Sequence, residues 1–216
     1  MIILIKEIII TNIKKLALIL VPAFCFLNAF AQTDDQKWLD EIATHRLKQE
    51  TEFKDPEKSP LSKEQIAGFT GLKYYAPDLK YRVRGKFTKN EKPVLFKMKT
   101  TTSRLPGYLK YGEVTFEIDS QRYTLEVYQS PEISLQPEYK NYLFIPFTDE
   151  TNGHDTYEVG RYVDLTIPES EEITIDFNLS YSPYCSYRSG YSCPIPPASN
   201  HLPIAIPAGE KKYKKH

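Results

Sequence analysis

The chain has no net charge: its 216 residues carry 28 Lys and Arg against 28 Asp and Glu. Without a basic excess it has no electrostatic footprint for a phosphate backbone or an anionic membrane, so no nucleic acid is implied as a partner. Cysteine is scarce, three in all, at positions 25, 185 and 193. No internal repeat or low-complexity tract occurs, which sets aside repeat arrays and biased linkers. Long apolar runs are missing too. Even the stretch from Leu16 to Phe30 is interrupted by Pro22 and Asn28 and falls short of the roughly 20 apolar residues that span a bilayer. Finally, no residue spacing identifies a reaction, and no cofactor is implied.

What is present begins at the N-terminus. Lys6, Lys14 and Lys15 precede that apolar stretch, and Ala29-Phe30-Ala31 supplies the small-x-small pattern of a signal peptidase site. Residues 1–31 therefore read as a secretory signal, with an uncleaved anchor as the alternative. The protein is expected to be exported, periplasmic or extracellular, with no stable membrane insertion after cleavage. Phe24 directly before Cys25 is wrong for lipid attachment. Cleavage removes three Lys and one Glu with 31 of the 216 residues, leaving 185 with 25 basic against 27 acidic side chains. That length supports one domain with a proper core.

Residues 32–55 are expected to form an N-terminal amphipathic helix, because Trp38, Ile42, His45 and Phe53 recur at spacings near three and four. Pro56 to Pro60 break it. Ser62-Lys63-Glu64-Gln65 has the form of a capping box opening a short helical turn that Gly68 and Gly71 end. From Tyr81 the apolar period changes to two. Val94, Phe96 and Met98 alternate with polar or opposite-facing residues, as do Val114, Phe116 and Ile118, and Tyr123, Leu125 and Val127. Asp119-Ser120-Gln121 reads as a hairpin turn, and further strands are expected at 81–87, 142–147, 157–165, 173–177 and 202–206. Strands joined by short turns with no interleaved helix imply a mainly β, antiparallel sandwich or partly open barrel over residues 56–210. Residues 211–216 form a basic, solvated tail.

The segment from Phe147 to Glu210 concentrates the polar chemistry. Alternation along Tyr157 to Leu165 places Arg161 among Tyr157, Val159, Val163 and Leu165, and Tyr162 and Asp164 on the opposite face. A guanidinium in apolar company needs a carboxylate or a bound anion. Asp149, Asp155 and Glu210 are the candidate partners, in a structural ion pair or in a ligand site. Thr174, Asp176 and Asn178 share the face opposite Ile173, Ile175 and Phe177, next to Tyr181. The loop Asp149 to Asp155 has the composition of an Asx or ST turn closed by Asn152-Gly153, although His154 and Asp155 also suit a base and its neighbour. Cys185 and Cys193 in an exported chain are expected to pair as a disulfide. The alternatives are free thiols, or a metal site with His201 and with Asp176 or His154, on a spacing outside the recognised zinc patterns.

These same residues carry a resemblance. Leu143-Phe144-Ile145-Pro146-Phe147-Thr148-Asp149 with Tyr157 and Gly160-Arg161-Tyr162-Val163-Asp164-Leu165, then Asp176-Phe177-Asn178 with Tyr181, Pro183, Cys185 and Tyr187, then Cys193-Pro194-Ile195-Pro196-Pro197 with Asn200, Leu202 and Ala208-Gly209-Glu210, resemble a bacterial family known as number 1684 among the domains of unknown function. Ser59-Pro60-Leu61, Phe69-Thr70-Gly71-Leu72 and Tyr81-Arg82-Val83 also fit. The resemblance implies a shared fold and site and brings no activity with it. Ser182 departs from the family's usual Asn before Pro183, and Glu158 or Val159 stands where the family often has a second glycine.

The expected function is binding of a small-molecule, sugar or peptide ligand in a cleft lined by Asp149, His154, Tyr157, Arg161, Tyr162, Asp164, Asp176, Asn178, Tyr181, Asn200 and Glu210. The tyrosines offer flat apolar faces with hydrogen-bonding tips. A hydrolase using a carboxylate or His with Arg161, and a structural envelope protein without ligand, are the competing classes. An enzyme requires a carboxylate or His with a perturbed pKa inside a concave pocket, and a binder requires only the pocket.

Overall fold

Asp119 and Ser120 both take positive φ, 51° and 61°, the backbone of a two-residue type I′ turn whose twist matches the strands on either side. The turn therefore closes tightly. It joins β3 (Gly107–Ile118) to β4 (Gln121–Gln129), which pair antiparallel from Ile118↔Gln121 back to Leu109↔Gln129, with a bulge between Lys110 and Gly112. β1 (Arg82–Lys89) pairs along the other edge of β3 and is itself followed outward by β7 (Glu172–Asp176). Short β2 (Leu95–Lys97) pairs with the start of β3. On the far side β4 meets β5 (Tyr142–Asp149), and β5 meets β6 (Arg161–Thr166). β8 (His201–Leu202) runs parallel to the end of β5.

The path is thus β6-β5-β4-β3-β1-β7 in one sheet. Its end strands β6 and β7 approach one another, so the sheet curls into a half-barrel. Of the two expected architectures, the partly open barrel is the one formed.

The computed structural model describes residues 34–213, and the chain divides into two compact units, 1–44 and 45–216. The expected signal, residues 1–31, lies outside the described residues. Helix α1 covers residues 34–54. In the first unit Trp38 and Ile42 are buried, as the spacing requires. In the second, Phe53 packs edge-on against Tyr187 at 4.8 Å. Helix α2 (Lys63–Ala67) opens on the expected capping box, with Ser62 accepting from the Gln65 amide and Gln65 accepting from the Ser62 amide. The basic end is less free than its composition suggests: Lys211 N donates to Lys73 O at 2.7 Å, and Tyr213 packs on Tyr187 at 5.3 Å.

β5 explains where polar groups go. Leu143, Ile145 and Phe147 enter the main core with Val114, Leu125, Val127, Val163, Ile175 and Phe177. Phe144 belongs instead to a second apolar cluster with Met98, Tyr108, Tyr128 and Tyr162. Both faces of this strand are covered, so residues 143–147 are apolar without a break. The second cluster is aromatic, and it forms one wall of the site.

Candidate functional site

β6 deals its side chains to two environments. Gly160, at φ +123°, leads into it where a Cβ would fall 2.6 Å from Phe147 O, so only glycine lets the chain enter this close to β5. Arg161 then points into the main core, fully buried. Its Nη2 donates to Asp149 Oδ2 at 2.7 Å and Ile206 O at 2.9 Å, and Nη1 donates to Ala208 O. Asp149 Oδ1 in turn accepts from the amides of Thr151 at 2.8 Å and Ile206 at 3.3 Å. Both charges are therefore spent on the protein. Of the three candidate partners, Asp149 is the one that pairs, and the ligand role expected of Arg161 and Asp149 gives way to a seam holding the Ile206–Ala208 segment against the sheet.

The two buried asparagines are also structural. Asn178 Oδ1 accepts from Asp78 N and its Nδ2 donates to Asp78 O, both at 2.9 Å, gripping the segment before β1. Asp176 caps the turn that carries Asn178, accepting from its amide at 2.9 Å, and lies 3.9 Å from Arg82 Nε. Asn200 repairs a break in the sheet. Pro146 has no N–H to offer, and β4 and β5 pair only at Tyr128↔Phe144. Asn200 reaches between them, accepting from Glu126 N at 2.8 Å and donating to Glu126 O at 2.9 Å and Pro146 O at 2.8 Å. All three side chains, expected as ligand contacts, are engaged by the protein itself.

The other face of β6 is different. Tyr162 and Asp164 open onto a hollow of about 600 Å³, within the usual range for small-molecule sites. Antiparallel register sets Phe144 opposite Asp164 and Tyr142 one step along the same face. Tyr181 joins them through a two-way backbone bridge to Tyr162, each amide 3.0 Å from the other carbonyl. Tyr142 and Tyr181 both donate to Asp164 Oδ1, at 2.8 and 2.7 Å. Among the described residues, Asp164 Oδ2 receives no hydrogen bond. The aspartate keeps an accessible surface, yet the walls crowd it. That desolvation raises its carboxyl pKa above the ordinary range, against the lowering effect of the two phenols and of His45. In the 45–54 stretch of α1, His45, Lys48 and Glu52 face the same space, and burial lowers the His45 pKa.

Glu210 lies deeper in the wall. Gly209, at φ +75° with its Cα against Ser180, turns the chain so that Glu210 points inward. There it accepts from Tyr187 OH and from the Ser182 amide at 3.3 Å. Burial pushes its carboxyl up to about 7. Ser182, where the family usually has Asn, lines the hollow too; its Oγ is buried without a hydrogen-bond partner, as is His45 Nε2.

Cys193 lines the hollow as well. It and Cys185 stand side by side without a bridge between them. They adjoin: the Cys185 amide donates to Cys193 Sγ at 3.3 Å. The hydrogen bond between the thiols pulls Cys185 down to about 6 and pushes Cys193 up. Tyr157, expected in the cleft, donates to Cys185 Sγ at 3.8 Å instead. His154 is an exposed turn residue in the Asx turn read from the sequence. Among the described residues no three His, Cys, Asp or Glu side chains gather as a metal site.

Tyr162, Asp164, Tyr181 and Glu210 are thus the expected residues that share one hollow. Tyr108, Tyr139, Tyr142, Tyr184 and Tyr191 line it without having been foreseen. The signal for Tyr142 was present: it sits on the face of its strand opposite Leu143, as Tyr162 does opposite Val163. A second depression, about 690 Å³, lies over Gly85 on the outer sheet. Its charged rim is self-paired and exposed, Lys86 with Glu171 at 3.2 Å and Arg122 with Glu117 at 3.4 Å, and no buried polar group faces it.

A model of a protein family of unknown function, DUF1684, matches residues 67–211. The chain belongs to the DUF1684 family. No curated protein matches it. The solution NMR structure of an uncharacterized protein from gene locus rrnAC0354 of Haloarcula marismortui is similar, at 34% identity and TM-score 0.66, over 85% of this chain and 98% of that one. Asp164, Tyr162, Tyr181 and Glu210 fall within the matched stretch, and His45, Lys48 and Glu52 lie before it.

Proposed function

We propose that this protein is an exported binding protein that takes a small or extended polar ligand, a sugar or a peptide, in the hollow around Asp164. One observation carries the reading: Asp164 holds one oxygen against two tyrosine hydroxyls and leaves the other free in a concave, tyrosine-lined space. Tyrosine rings cover apolar ligand faces, and a free carboxylate oxygen fixes orientation. Export rests on the N-terminal sequence, and an N-terminus at Gln32 in protein recovered outside the cytoplasm checks it. In that setting Cys185 and Cys193 join as a disulfide, so denatured, unreduced protein should show no free thiol.

Ligand binding is tested by titrating sugars and short peptides while following tyrosine ring signals by NMR. Shifts confined to Tyr142, Tyr162 and Tyr181, abolished in Tyr162→Ala, support the reading. Saturable binding that leaves those rings unmoved refutes it. The hydrolase alternative keeps the support of two raised carboxyls that line the hollow, Asp164 and Glu210. His154, Asp149, Asp176 and Arg161 do not line that space. Turnover of a bound oligosaccharide or peptide that disappears in Asp164→Asn would favour it.

A further inference from the structure

We propose that the hollow selects an organic ammonium group, as carried by a lysine side chain or an amino sugar. This rests on the binding reading above and names the ligand class within it. The geometry of the aromatic wall is the first argument. Tyr142 and Phe144 lie nearly parallel, 7° apart with centroids at 6.4 Å; Phe144 meets Tyr162 at 76° and 5.6 Å; Tyr162 meets Tyr181 at 83° and 5.8 Å. Tyr142 and Phe144 thus share one orientation while Tyr162 and Tyr181 each stand near a right angle to the preceding ring, so ring surfaces of more than one orientation line the hollow. Such surfaces attract a cation through the ring quadrupole, the more so where water is thinned out.

The second argument is charge. Asp164 supplies the accessible anion at the foot of this wall, and its unshared Oδ2 is free to accept an N–H. Tyr142 and Tyr181 are tethered by their hydroxyls to that same carboxylate, so their rings stand beside any cation that approaches it. Lys48 and Glu52 face the hollow with opposite signs. A neutral sugar would stack on the rings but leave the carboxylate desolvated and uncompensated, and an anion would oppose it.

The test uses matched pairs that differ only in the amine: glucosamine against N-acetylglucosamine, and Gly-Lys-Gly against the same peptide with acetylated lysine. Calorimetry with the mature protein should give roughly tenfold tighter binding for the amine of at least one pair, and the pair that responds tells sugar from peptide. Asp164→Asn keeps the oxygen that receives both phenols and should erase the difference in affinity between the amine and its acetylated partner. Equal or tighter binding of the acetylated compounds would overturn the ammonium assignment and leave the binding reading standing. If no compound moves the Tyr142 and Tyr181 ring signals, both fall.

Discussion

Arg161 and Asp164 stand three residues apart on one strand and point to opposite faces. The Arg161 seam closes on the protein: its terminal nitrogens meet a carboxylate and two carbonyls, its Nε is buried without a hydrogen-bond partner, and its partner Asp149 accepts two amides besides. The Asp164 side has an acceptor left over, on Oδ2, in a space that admits a ligand. Burial of a charge is thus no guide to function by itself. Unspent hydrogen-bonding capacity in a concavity is the feature that separates the two regions.

The largest expected effect falls on the seam. Arg161→Met leaves the Asp149 carboxylate buried and unpaired and strips partners from Ile206 O and Ala208 O, which should cost about 3–5 kcal/mol in urea unfolding. Adding Asp149→Leu should recover part of the loss, since a buried pair replaced by apolar side chains is often close to neutral. The variant that folds should bind hollow ligands as before. Near-normal stability with lost binding would reverse the two roles.

Glu210 lies between the regions and gives the next effect. Its folded pKa, about 7, stands above the ordinary carboxylate value. The native state therefore holds a proton that the unfolded chain has released, and its stabilising share is full below about pH 4.5 and lost as pH rises to about 7. At 1.36 kcal/mol per unit the loss is on the order of 3 kcal/mol. Glu210→Gln, which still accepts from Tyr187, should flatten this part of the stability profile and make the protein more stable at pH 8. An unchanged slope in thermal unfolding between pH 5 and 8 would show that Glu210 ionises normally.

Asn200→Ala should cost roughly 1–3 kcal/mol, the penalty for leaving Glu126 N–H and Pro146 O unpaired between strands. This residue also shows the limit of reading the chain. Alternation of Val114, Phe116 and Ile118 and of Arg161, Val163 and Leu165 revealed strands and their faces, and Asp119-Ser120 revealed a turn, because those signals are local. Asn200 was legible only as a polar residue. Its function depends on Pro146 interrupting a ladder with Glu126, three segments that meet only in the fold. Tyr142, Tyr108 and His45 were missed for the same reason: strand register and the helix carry them to Asp164 from distant parts of the chain.

The smallest stability change belongs to Asp164 and sharpens the comparison most. In Asp164→Asn the amide oxygen still accepts from Tyr142 and Tyr181, and the cost of crowding a charge disappears, so stability should move by no more than about 0.5 kcal/mol, with a slight gain possible at neutral pH. Binding of an amine should fall in the same protein. In the wild type that binding should weaken on acidification above the ordinary carboxylate range, because the raised Asp164 carboxyl gains its proton early. His45, Lys48 and Glu52 from the helix, Tyr142 and Tyr181 beside the carboxylate, and Glu210, Cys193 and the remaining tyrosines of the wall are the other ionisable groups facing this space. Glu210→Gln combined with Asp164→Asn separates the two carboxyls: acid weakening that survives Glu210→Gln and vanishes with Asp164→Asn comes from the free oxygen at the foot of the aromatic wall. A stability loss in Asp164→Asn as large as that of Arg161→Met would instead make both faces of β6 structural.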